Sequence, residues 1–192
     1  KMTLRMMRWK ASFNQVQSLL FVILAGLLIA SIAYFLNEQV LGSGKDLMNN
    51  VLFSPEKNSS WHTVLFRILG PIICFNTGAA GGIFAPSLAA GASIGAFFSQ
   101  LFHFVDSNAN ILILCGMVGF LTGVTRTPFT SAILVLEMTD RHSVIFHLML
   151  AALISHIAAL IVDKHSFYEQ LKHDYVKQEM NREEEEKAIE VQ

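Results

Sequence analysis

The residues with the clearest chemical potential are Gly81-Gly82-Ile83-Phe84-Ala85-Pro86, followed by Ser87-Leu88-Ala89-Ala90-Gly91-Ala92-Ser93-Ile94-Gly95. Two glycines allow a tight bend, and Pro86 fits the first turn of a helix, where its missing N–H costs nothing. A helix starting here carries unpaired backbone N–H groups around Ile83, Phe84 and Ala85, with no acidic residue nearby to cap them. Inside a membrane such a start needs a partner, and an anion suits the positive end of a helix dipole. The alternative is a Gly-Pro helix start packed in an ordinary bundle.

Other side chains offer less specific chemistry. Tyr168 stands where the last apolar element gives way to a charged one. Its phenol is a neutral donor suited to an anion, and the competing reading is an interfacial belt tyrosine. Glu137 is the one acid that ends an apolar helical run, Ser131 to Leu136. It reads as a membrane-edge residue bonded to backbone N–H groups or to Thr139, with a proton carrier as the functional alternative. Arg67, the one charge between Trp61 and Phe75, reads as snorkelling or pairing with backbone carbonyls. Cys74 and Cys115 lie apart in apolar runs and read as small core residues, not as a disulfide or metal framework. The seven histidines lack i, i+4 zinc spacing, although His147 and His156 are expected to share a helix face, and no metal site is expected. Asn58-Ser59-Ser60 matches a glycosylation pattern expected to be unused. No Ser-His-Asp set, P-loop or dinucleotide fingerprint occurs, so no enzyme is expected.

The elements that must position these residues are mostly apolar. Hydrophobic residues make up 53% of the chain and charged ones 15%, below the roughly 25% of soluble domains, which argues for lipid as solvent. The formal net charge is -1, and no basic patch interleaved with aromatics points to nucleic acid. Ser18 to Leu36 is long and uncharged enough to span a bilayer. Asp46 to Phe53 is a short helix-like piece, Ser54 to Ser60 a solvent loop, and Trp61 to Phe75 a second apolar run. From Ile83 to Val105 a Gly or Ala recurs every three or four residues, giving a face that a neighbour can approach closely. Asp106 to Asn110 reads as a turn. Ile111 to Val124 and Pro128 to Met138 are then too short to cross upright and read as half-helices around a midplane site. Ser143 to Val162 is again of full length. The expected organisation is the end of a long amphipathic surface helix at 1–10, a transmembrane helical part at 11–165, a C-terminal helix at 166–180 and an acidic tail at 181–192. Four basic residues in the first ten and five from Lys164 to Lys187 put both ends in the cytoplasm by the positive-inside rule.

Cys74-Phe75-Asn76-Thr77-Gly78-Ala79-Ala80 leading into the GGIFAP run resembles the second-half anion signature of the ClC family of chloride channels and chloride/proton antiporters. Gly123 to Thr130 running into Ile133 to Asp140, and Phe167-Tyr168-Glu169, are similar to the family in the same order. The resemblance implies an all-α membrane protein, a ClC-type bundle of tilted, partly broken transmembrane helices, the second of two inverted repeats. It implies chloride bound by backbone amides at Gly82, Ile83, Phe84 and Ala85 and by the hydroxyl of Tyr168. It also implies a homodimer through segments 128–138 and 143–162, in a bacterial inner membrane, with no cofactor beyond chloride as the transported ligand.

The Gly-Ser-Gly-Ile-Pro and Gly-Arg-Glu-Gly-Pro segments of the family's first half are absent, and Glu137 matches neither of its proton glutamates. The chain, which starts at Lys1, is therefore expected to be a C-terminal half whose partner is the N-terminal half of the same protein. No paired CBS domains are expected after Tyr168. Chloride/proton antiport is the expected activity, with a passive chloride channel or a non-transporting membrane scaffold as alternatives.

Overall fold

The computed structural model describes residue 6 and residues 13–35, 42–54, 57–78, 81–164, 166–173, 175–176 and 179–180. Among the described residues the regular structure is helical, without a strand. The surface helix expected over 1–10 (apart from Met6) and the acidic tail at 181–192 lie outside them. In chain order the helices are α1 (Gln15–Phe35), α2 (Lys45–Phe53), α3 (Trp61–Thr77), α4 (Phe84–Leu101), α5 (Asp106–Thr125), α6 (Pro128–Thr139) and α7 (Ile145–Val162). A 3-10 turn at His142–Val144 leads into α7, and a helical stretch over 167–173 follows it.

The centre of the fold is the pair α4 and α5. Recurrent small residues let the two backbones touch. A Cβ built at Gly91 would strike the Gly116 carbonyl oxygen, and one at Gly95 would come within 2.5 Å of the Ile113 Cα. The small-residue face expected of this segment is therefore real, and it is turned to α5. Around the pair, α7 packs on α5 and α6, while α2 and α3 cover α4. Leu47 of α2, Ile113, Met117 and Leu121 of α5, Val135 of α6 and Leu148 of α7 close the core.

Among the described residues, three stretches are long and apolar enough to cross a membrane: Gln15–Phe35, Asn108–Thr125 and His142–Val162. The second corrects two expectations: Ile111 to Val124 is not a half-helix too short to cross, because the helix that contains it begins at Asp106 and runs 20 residues. Asp106 to Asn110 forms the first turns of α5 rather than a separate turn, with the Ala109 N–H donating to the Val105 carbonyl at 2.9 Å. Asp, Ser and Asn favour turns and helix starts for the same reason: their short polar side chains bond nearby backbone. Helix α6 does stay short, at 12 residues, with Pro128 in its first turn.

Arg67 is only 3% exposed, and its Nη1 donates to the Gly42 carbonyl at 3.0 Å. This is the carbonyl pairing expected of it. The loop closes over the guanidinium at Gly44, whose φ of 86° requires glycine and whose Cβ would collide with that of Ala89. His147 and His156 do not share a face, because nine residues make two and a half turns of α7. His147 is exposed and His156 half-buried. Cys74 is exposed, not in the core, and Cys115 is half-buried with its Sγ 3.7 Å from the His147 carbonyl oxygen.

Candidate anion-binding site

Helix α3 ends by tying up its own last carbonyls. Asn76 Nδ2 donates to Ile72 at 2.6 Å, and Thr77 Oγ1 donates to Cys74 at 2.7 Å. Gly78 then turns left-handed at φ 88° and ends the helix. The conformationally demanding glycine is thus Gly78. Gly81 and Gly82 are exposed, and a Cβ on either would meet nothing within 4 Å.

Helix α4 begins at Phe84, with Ile83 already in right-handed helical conformation. Its first bond runs from the Ser87 N–H to the Ile83 carbonyl at 3.1 Å. Pro86 has no N–H, so the amides of Ile83, Phe84 and Ala85 precede the hydrogen-bonded ladder. The N-cap residue Ile83 offers no side-chain cap, and the first turn carries no acid. Phe84 is 45% exposed, and Ala85 lines an open cleft of about 370 Å³ whose wall includes Ser43, Lys45 and Thr139. The first N–H groups of such a helix start lie outside its own hydrogen-bonded ladder.

Tyr168 is 41% exposed and sits in the first turn of the 167–173 stretch. That turn is held by a reciprocal cap. The Ser166 N–H donates to Glu169 Oε2 at 2.8 Å, and the Glu169 N–H donates to Ser166 Oγ at 3.1 Å. Phe167 packs edge-on against Phe75 at 5.4 Å between ring centres, which docks the turn on the last turns of α3. The C-terminal turn and the approach to α4 therefore share one support. Sequence reasoning missed the cap, although Ser166-Phe167-Tyr168-Glu169 spells its S-x-x-E signature.

The other candidates stand apart. Glu137 is exposed on α6, and Thr139, its expected partner, instead donates to the Val135 carbonyl at 2.7 Å. Among the described residues no three His, Cys, Asp or Glu side chains group as metal ligands.

Among the described residues, three apolar helical stretches of membrane length and no strand define an integral membrane protein of the helical class. The chain belongs to the voltage gated chloride channel family, whose sequence profile matches residues 1–160. It is 32% identical over 143 residues to the H(+)/Cl(-) exchange transporter ClcA of Klebsiella pneumoniae, covering 69% of this chain and 30% of that protein. To ClcA of Vibrio parahaemolyticus it is 33% identical over 115 residues, 58% of this chain and 25% of the other. To the voltage-gated ClC-type chloride channel ClcB of Salmonella typhimurium it is 29% identical over 150 residues, 76% of this chain and 36% of the other. The matched region spans about a third or less of the length of these relatives.

Proposed function

We propose that the chain forms part of a chloride transporter, with chloride held by the amides at Gly82, Ile83, Phe84 and Ala85 and by the Tyr168 hydroxyl. The observation that carries this reading is the uncapped start of α4 beside an open cleft. Neutral donors suit a site that must release its ion. At ~4 Å and an effective dielectric of ~20, a helix-end half charge attracts chloride by ~2 kcal/mol, against ~4 for a lysine. That difference is roughly thirtyfold in dissociation constant, and it favours turnover over trapping.

Chloride/proton exchange is the first reading because the ClcA relatives bear that name. A passive channel is the second, since ClcB is named as one and matches a larger share of this chain. The membrane is the bacterial inner membrane, with both ends of the chain cytoplasmic. The partner is a second copy, docked through 128–138 and 143–162, where Phe129, Ile133, Phe146 and Ile154 present exposed apolar side chains.

Chloride flux into liposomes carrying the full-length protein tests the reading. Exchange predicts chloride-driven proton movement against a pH gradient, and a channel predicts chloride flux without it. Absence of any chloride flux would leave the scaffold alternative.

A further inference from the structure

Resting on the reading of Tyr168 as an anion donor, we infer that Arg126 is a positioning residue for Tyr168, acting through Asp163 and Gln170. Arg126 joins α5 to α6, and it does so in left-handed conformation, at φ 64°. A bulky non-glycine residue pays for that backbone, so a side-chain role is expected of it. Its Nη2 crosses to the end of α7 and donates to the Asp163 carbonyl at 2.9 Å. The Asp163 carboxylate does not pair with Arg126. It accepts instead from Gln170 Nε2 at 3.0 Å, in the stretch that carries Tyr168. Gln170 lies two positions after Tyr168, and the Gln170 N–H also donates to the Ser166 carbonyl at 3.1 Å. The chain of contacts thus runs from the α5–α6 junction, through the end of α7, to the turn that holds the phenol.

Arg126 Nη1 is buried without a hydrogen-bond partner among the described residues, so desolvating the guanidinium is offset mainly through Nη2. That one bond spans 37 positions of sequence. Thr125 and Thr127, on either side of Arg126, bond through their hydroxyls at 2.8 Å and stiffen the junction from which the side chain reaches. Together with the cap and the Phe75 contact, this relay ties the stretch to the bundle among the described residues.

Chloride affinity of the full-length protein, measured by calorimetry in detergent, provides the test. Arg126→Ala, Asp163→Ala and Gln170→Ala are each expected to weaken chloride binding roughly three- to tenfold, the range of one lost hydrogen bond. Asp163→Asn keeps the acceptor and is expected to bind as the parent does. In a Tyr168→Phe background the same alanine changes are expected to add nothing, because they act through the missing hydroxyl. Equal losses with and without that hydroxyl would overturn the relay, as would parental affinity in all three alanine variants. Should Arg126→Ala fail to fold, Gln170→Ala and the Asp163 pair still decide the matter. If Tyr168→Phe itself left affinity unchanged, the anion assignment of Tyr168 would fall and the relay with it. If Tyr168→Phe weakened binding while Gln170→Ala and Asp163→Ala did not, the relay alone would fall.

Discussion

Gly82 separates folding from function at the level of single residues. A Cβ there would meet nothing within 4 Å among the described residues, and the backbone is not left-handed, so Gly82→Leu should change unfolding free energy by no more than about 0.5 kcal/mol. It would crowd the amides that follow, and chloride affinity should drop at least tenfold in the same preparation. Matched losses of both, read by thermal unfolding and calorimetry, would mean that Gly82 serves only the fold. Gly44 is the converse case. Its positive φ and its closeness to Ala89 predict that Gly44→Ala costs about 2 kcal/mol or more in stability, checked by denaturant unfolding in detergent. Single residues were unevenly legible beforehand. Arg67 pairs with a carbonyl, as the scarcity of intramembrane anions requires. Arg126 escaped notice because its acceptor is a main-chain oxygen, which leaves no mark on residue type.

Between helices, backbone contact and capping set the geometry. Gly116 faces Gly91 and Gly95 at distances that exclude a Cβ, whereas a Cβ at Gly119 would lie 3.9 Å from that of Ser155. Gly116→Ala should therefore push α4 from α5 and lower the melting temperature by several degrees, while Gly119→Ala should leave it nearly unchanged. Similar melting temperatures for the two would contradict the close packing. The cap at Tyr168 makes a second comparison. Glu169→Ala should cost about 1 kcal/mol locally and speed amide exchange over 167–173, and Glu169→Gln, which can still cap, should not. Much of this scale could be read from the chain: the start of α4, its small-residue face and the brevity of α6 follow from Gly, Ala and Pro positions. The first turns of α5 could not, since Asp106 to Asn110 carry residue types equally at home in a turn.

As a whole, the molecule is a set of apolar helices with much of its greasy surface uncovered: Phe146 is 83% exposed and Ile161 82%. Lipid and further protein are the natural cover for such a surface, and the matched relatives extend well beyond this chain. Family membership was legible because three motifs occur in order, and each maps to a helix junction: α3 to α4, α5 to α6, and α7 to the 167–173 stretch. Transport type was not legible, because charge-carrying groups that distinguish exchange from conduction need not lie in this part of the sequence. Crystals of the full-length protein grown in bromide would locate the ion by anomalous scattering. The account predicts a peak within hydrogen-bond reach of the Ile83 and Phe84 amides and the Tyr168 hydroxyl; protein oxygens filling that position, with the peak elsewhere or absent, would contradict it.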